Sequence, residues 1–316
     1  MKAYFFQDGI KQLAQEITGK ENVYLGIRPY GFHAGNMLPF VLYPILLSEE
    51  LKKLGGTPEF NIFVFINDWE QDNLAGPNVK MYPFNIFPKN TTFQYILDPK
   101  NENTNIADYW EPIIVKGVKK IQTLFPKVKI KSVRNSELKN NPIMKKHLLF
   151  TIQNPQVVAD ILRKYTNKKI LEKPLSYAMA VCPKCKKVKG RSSYKDGKIY
   201  HYCFNCKKKS QGKYEDFDYW FYHKPLAIPR LEIFNIDICI TGSDHYGEGD
   251  FIVRQELIKA YGSKAKPPKT LYTQVMLGRN GDVMGKSRGN TEMIGLKELR
   301  DLFSKHPNIK TIQIGS

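Results

Sequence analysis

The chain has 316 residues, 42% of them hydrophobic and 12% aromatic, with 49 Lys+Arg against 30 Asp+Glu and a formal net charge of +19. This content excludes wholesale disorder, and the length suits roughly two domains whose core needs no disulfides. No apolar run approaches the ~20 residues that span a bilayer, and Met1-Lys2-Ala3-Tyr4 does not open a signal peptide, so a cytoplasmic protein without a membrane partner is expected.

A helical pattern around Gly9–Ile17 opens the chain, and Val23–Ile27 reads as a short buried strand. Arg28-Pro29-Tyr30-Gly31-Phe32-His33-Ala34-Gly35-Asn36 follows, then an apolar helix from Met37 to about Leu54, stopped by Gly55-Gly56. With Asn61–Asn67 as the next strand, this is the β-loop-α-β unit of a parallel sheet, whose site lies at the carboxyl ends of the strands. Gly31 and Gly35 permit close backbone approach. His33 and Asn36, three apart, can address one anion from a helix start. A lone H-x-G-N is a weak signal, and a single histidine is more often structural.

Residues 116–213 hold 26 Lys+Arg and four acids, a local charge of +22, whereas the rest of the chain carries −3. Only nine of the 49 cations are arginine, so solvated lysines from a biased composition are the plain alternative to a polyanionic partner. The excess nevertheless belongs to one segment, which also contains Cys182-Pro183-Lys184-Cys185 and Cys203-Phe204-Asn205-Cys206. Two C-x-x-C turns at this spacing suit a structural Zn2+ held by Cys182, Cys185, Cys203 and Cys206, with no open position for catalysis. Ser192–Tyr194, the Lys195-Asp196-Gly197-Lys198 turn and Ile199–Tyr202 read as the hairpin between them. Cys239 is expected to be a buried strand residue.

Asn235–Thr241 reads as a further strand, running into Gly242-Ser243-Asp244-His245 before a helix near Phe251–Tyr261. Leu271–Leu277 is another strand, followed by Met284-Gly285-Lys286-Ser287-Arg288-Gly289-Asn290. That stretch is glycine-flanked, with two cations and a hydroxyl, chemistry suited to a polyphosphate. A helix near Leu296–Phe303 comes last.

In this order the two signatures resemble class I aminoacyl-tRNA synthetases, and most closely the class I lysyl-tRNA synthetase family. The family's G-x-x-P-x-G-x-x-H-x-G-N pattern stands as Gly26 to Asn36, its strand-end motif as Gly242 to His245, and its signature loop as Met284 to Asn290. The resemblance implies an α/β fold: a Rossmann-type parallel sheet with an inserted α+β region and a zinc ribbon. Its parts would be 1–75 (first half), 76–178 (connective insertion), 179–213 (ribbon) and 214–316 (second half with the loop).

It implies ATP-dependent formation of an aminoacyl-adenylate and transfer of the aminoacyl group to a tRNA acceptor end. His33, Asn36 and Lys286 would be catalytic. Gly31, Gly35, Gly242, Asp244, His245, Met284, Ser287 and Arg288 would bind ATP. Gly26, Arg28 and Tyr30 would border the amino acid. Mg2+ would arrive with ATP, and the 116–213 segment would hold tRNA or another RNA acceptor; the oligomeric state is left open.

Three departures stand out. Arg28 and Tyr30 replace small polar residues, and the Arg28 cation would repel a lysine ammonium unless it turns outward. Val283 and Gly285 replace the usual Lys and Ser, suggesting a slower enzyme. The sequence as written stops at Ser316, where the family continues with a helical anticodon-binding domain, so a truncated form is expected. The alternatives are a paralogue that charges a non-tRNA acceptor and a catalytically weak RNA-binding ribbon protein.

Overall fold

The structure is a computed structural model that describes residues 2–71, 88–98, 100–166, 176–284 and 292–314. Six strands form its central sheet: β1 (Ala3–Phe5), β2 (Asn22–Ile27), β3 (Asn61–Ile66), β4 (Lys129–Arg134), β5 (Ile238–Gly242) and β6 (Lys269–Thr273). Their spatial order is β1-β6-β5-β2-β3-β4, and all five pairings are parallel.

Side chains alternate across this sheet and feed two cores. Val23, Leu25, Ile62, Val64, Ile238 and Ile240 face one core, built with the helices Phe6–Ala14, Tyr43–Lys53, Ile106–Val118 and Leu296–Lys305. Phe65 and Cys239, with Tyr24 and Phe63 at the margin, face the other, built with Pro155–Tyr165, His223–Ile233 and Asp250–Ala260. Burial on both faces is why the strands read as continuous apolar runs. Cys239 is buried in β5, as expected.

The chain order reverses between β2 and β5, the switch point of a doubly wound sheet. Their pairing comprises only Ile238↔Val23 and Cys239↔Tyr24, so beyond these residues the carboxyl ends part and open a crevice.

Two elements differ from the sequence reading. The helix expected from Met37 starts at Ala34 and passes through a π-helical segment, Leu38–Leu42, before Tyr43–Lys53. Pro39 lies in that segment, and a proline ring lacks the N–H and clashes with the carbonyl four residues back in an α-turn; the wider turn relieves both. The strand expected over Leu271–Leu277 breaks at Gln274, after which Val275–Leu277 pairs instead with Thr311–Gln313. Gln274 is buried at the break, its Oε1 accepting from the Tyr43 hydroxyl (2.6 Å) and its Nε2 donating to the Pro307 carbonyl (3.1 Å).

The segment 76–178, expected as an insertion, supplies β4 to the central sheet, in register with β3 from Asn61↔Lys129 to Ile66↔Arg134. Lys129, Lys131 and Arg134 interrupt this edge strand, so it carries little of the apolar signal that marks its neighbours.

A third core joins the cysteine module to the body. Ile199 from the module packs with Trp69, Met144, Leu148, Tyr214, Tyr219 and Phe221. Among the described residues, no helix is long and apolar enough to cross a membrane.

Candidate active site and four-cysteine centre

At the switch point lies a cleft of about 450 Å³. Gly26, Arg28, Tyr30, His33, Gly35 and Asn36 line it from the end of β2 and the turn after it; Gly242, Asp244 and His245 line it from the end of β5. Residues separated by more than 200 positions thus meet at one place. Met284 lines the rim, whereas Gly31 does not line the cleft: it turns the loop at φ +77°. Lys286, Ser287 and Arg288 lie outside the described residues. The flanks of their stretch are fixed, since Met284 N–H donates to Met276 O (2.9 Å) and Ala34 N–H donates to Glu292 O (2.9 Å).

His33 caps the short helix Ala34–Met37, and Asn36 Oδ1 accepts from the His33 backbone N–H (3.3 Å). His33 Nδ1 accepts from Gly35 N–H (3.2 Å), which in the neutral imidazole places the proton on Nε2 and makes that atom a donor. A Cβ on Gly35 would come within 2.9 Å of His33 Cε1, so the glycine keeps this imidazole in place. Gly242 has a similar role: a Cβ there would lie 2.4 Å from Asp244 Oδ1.

Several lining residues escaped the sequence reading. Glu70 is buried, and its Oε2 accepts from Arg28 Nε at 2.9 Å, while Oε1 has no hydrogen-bond partner among the described residues. The Arg28 guanidinium is thus paired with a buried carboxylate beside the cleft. Tyr30 is buried, its ring 5.2 Å from Phe93 in a small satellite core.

Asp250 joins Lys224 and His245. Lys224 Nζ donates to Asp250 Oδ1, and His245 Nδ1 stands 3.3 Å from Asp250 Oδ2. Burial alone would raise the Asp250 carboxyl, but His245 and Lys224 hold it well below the usual carboxylate range. For His245, desolvation disfavours the imidazolium, yet the Asp250 hydrogen bond and the charges of Asp244, Asp250 and Glu248 lift its pKa above the ordinary value. No sequence signal links these residues, because Lys224 and Asp250 belong to different helices.

His245, Glu248 and Asp250 bring ligand-type atoms within 4.8 Å of one another, but the Lys224 ammonium already sits on Asp250. Among the described residues, the lining includes the carboxylates of Glu70, Asp244, Glu248 and Asp250 and the cations of Arg28, Lys224 and Arg254.

The four cysteines converge as their spacing leads one to expect. Cys182 and Cys206 sulfurs are 3.6 Å apart, as are those of Cys185 and Cys203, and all four lie within 4.8 Å of one another. A tetrahedron with zinc–sulfur bonds of about 2.3 Å has sulfurs about 3.8 Å apart, whereas a disulfide needs about 2.05 Å, so the cluster fits zinc. Burial pushes the Cys182 thiol up to about 12. Around Cys185 burial acts the same way, but the Lys187 backbone N–H and neighbouring thiols bring it down to about 7. The two turns share one backbone device: the residue after each second cysteine, Lys186 (φ 56°) and Lys207 (φ 57°), is left-handed.

Among solved structures, the chain is similar to tyrosyl-tRNA synthetase from Archaeoglobus fulgidus complexed with L-tyrosine (16% identity, TM-score 0.40, 89% of this chain and 63% of that one). It is also similar to tyrosyl-tRNA synthetase from Leishmania major (13%, 0.45, 91% and 31%) and tryptophanyl-tRNA synthetase from Campylobacter jejuni (14%, 0.39, 90% and 65%). The chain thus spans less than two thirds of the length of these proteins, and the likenesses, all with TM-scores under 0.5, decide nothing about activity or substrate. No curated protein sequence matches it significantly. The family whose sequence model matches is described as "tRNA synthetases class I (K)", and the match runs from residue 10 to residue 306. With nearly the whole chain matched and the parallel sheet opening a cleft at its switch point, the protein belongs to the class I tRNA synthetase family.

Proposed function

We propose that the protein activates an amino acid with ATP and transfers it to the acceptor end of a tRNA. The observation that carries this reading is the convergence of His33, Asn36, Gly242, Asp244 and His245 on one cleft at the carboxyl ends of β2 and β5. Phosphoryl transfer of this type depends on positioning and charge compensation more than on a protein nucleophile.

In this reading the amino-acid carboxylate attacks the α-phosphorus, forming the mixed anhydride and releasing pyrophosphate. His33 Nε2–H and the Asn36 amide donate to phosphate oxygens as charge builds on them. Lys286, assisted by Ser287 and Arg288, holds the β- and γ-phosphates from the stretch whose flanks are tied to Met276 and Ala34. Gly35 lets the nucleotide lie against backbone. Gly242, Asp244 and His245 border the ribose and the amino acid. Mg2+ comes with ATP and compensates the phosphates. Zn2+ on the four cysteines holds the ribbon, and the basic 116–213 segment holds the RNA.

Lysine is the substrate this reading favours. Arg28 is paired with Glu70, which removes the like-charge objection to an amino acid with a second ammonium group. Exchange of labelled pyrophosphate into ATP, run with each of the twenty amino acids with and without tRNA, tests the proposal. Lysine-dependent exchange is the expected result, and no exchange with any amino acid in either arm overturns it.

A further inference from the structure

The ribbon has two faces. Its strands Gly190–Lys195, Lys198–Cys203 and Lys209–Gly212 form an antiparallel sheet in the order third, second, first. Ile199, His201 and Cys203 point inward: Ile199 enters the third core, and Ser192 Oγ lies 3.0 Å from His201 Nδ1 and accepts from the Ala180 N–H. The opposite face is exposed along its whole width.

The register lays out that outer face. Tyr202 lies between Arg191 and Lys209, Tyr200 lies between Ser193 and Gln211, and Lys198 pairs with Lys195. Tyr200 and Tyr202 are each 37% exposed. An aromatic ring in the middle strand of a sheet usually finds cover, and two on one open face, about 6.8 Å apart along the strand, form a stacking platform. Four cations flank them on this face; among the described residues of these strands none is acidic, and Asp196, in the hairpin turn, lies 4.0 Å from Lys195 Nζ. Arg191 also lies over Phe204 (5.9 Å), whose ring meets Tyr202 edge-on at 5.6 Å.

From this juxtaposition we infer that the outer face of the ribbon binds unpaired RNA, with bases stacked on Tyr200 and Tyr202 and phosphates held by Arg191, Lys195, Lys198 and Lys209. The inference deepens the tRNA reading above and rests on it for the identity of the RNA. A base offers a flat π-face whatever its sequence, and the phosphates supply the negative charge that this surface lacks. A duplex hides its base faces and can use only the cations. Tyrosine spacing of two residues on a pleated strand matches successive bases of an extended strand.

The test is fluorescence anisotropy of a short labelled single-stranded RNA and of a blunt duplex of the same sequence, each titrated with the zinc-loaded protein. Tyr200→Ala and Tyr202→Ala should each weaken the single strand about tenfold, with Tyr→Phe at either position restoring it. Lys198→Gln and Lys209→Gln should each reduce the slope of log affinity against log salt by about 0.7. The duplex should be indifferent to the tyrosine changes. Unchanged single-strand binding in both alanine variants, or equal losses for strand and duplex, overturns the inference. Pyrophosphate exchange on the same preparations separates the two proposals: absent exchange with tyrosine-dependent binding sinks the synthetase reading alone, and normal exchange with tyrosine-independent binding sinks this one alone.

Discussion

The cleft and the ribbon face treat charge in opposite ways. In the cleft, Arg28 is matched by Glu70 and Lys224 by Asp250, so opposite charges are held close in a partly buried space. On the ribbon, Arg191, Lys195, Lys198 and Lys209 spread over an open sheet, where Lys195 makes a loose, exposed pair with the turn residue Asp196 (4.0 Å). The pairs suit a site that must hold ammonium, carboxylate and phosphate groups at fixed places, where any unpaired charge would be costly. The open cations suit a long polyanion that displaces counterions. The chain's +19 is thus the sum of +22 in the 116–213 segment and −3 in the rest of the chain.

The largest effect that can break this comparison is loss of the metal. Binding of zinc to a four-cysteine site is folding free energy, about 10–16 kcal/mol in small peptides, so its removal should unfold the ribbon. Cys203→Ser, or prolonged chelation, should reduce zinc from one ion per chain to none and expose the protease-sensitive bonds of the module, read by metal analysis and limited proteolysis. A ribbon as resistant without metal as with it would show that the third core alone holds it.

Next in size is the cleft's own pairing. Glu70→Gln should remove the buried carboxylate that accepts from Arg28 Nε and lower kcat/KM for lysine in the exchange reaction about tenfold, mainly through KM. Arg28→Ala should not show that loss. Equal losses in both variants would mean that the pair shapes the loop instead of setting the charge.

A smaller effect concerns pH. His147 is fully buried, with Nε2 2.8 Å from Glu232 Oε2. Burial lowers its pKa and outweighs the raising influence of Glu232. The unfolded chain therefore binds this proton more readily, so the stabilisation is complete above pH 6.5 and is lost as pH falls through the folded pKa. The urea midpoint should drop as pH goes from about 7.5 to 5.5, and His147→Gln should flatten part of that drop. A flat wild-type profile would contradict the assignment.

The smallest expected change is at the cysteine turns. Lys207→Gly removes a side chain from a left-handed residue and should stabilise the zinc-loaded protein by about 0.5 kcal/mol in thermal unfolding. Lys186→Gly should gain less, because Lys186 Nζ lies 5.0 Å from the Tyr95 ring centroid and that contact would be lost.

The sheet was legible in the sequence wherever strands are buried on both faces, as in β2, β3 and β5, because short apolar runs bounded by polar or glycine residues leave few alternatives. It was not legible at β4, an edge strand whose alternating lysines look like solvated surface. The motif residues of the cleft were readable because each motif is local: His33 and Asn36 share a helix cap, and Gly242 and Asp244 share a strand end. Glu70, Lys224, Asp250 and Arg254 were not, since they act through neighbours that only folding supplies. The same holds for Arg28, whose charge could be read from the sequence but whose partner, 42 positions away, could not. In the ribbon the cysteine spacing announced the metal site, whereas the tyrosine face appears only once strand register shows which side chains stay outside.

The most direct test of the central claim is an aminoacylation assay: the protein, ATP, Mg2+, total tRNA and each labelled amino acid in turn, with label counted on RNA before and after mild base. The expected result is lysine on RNA through a base-labile ester, with incorporation falling by about 10²–10³ in His33→Ala. Absence of label on RNA with every amino acid would contradict the claim.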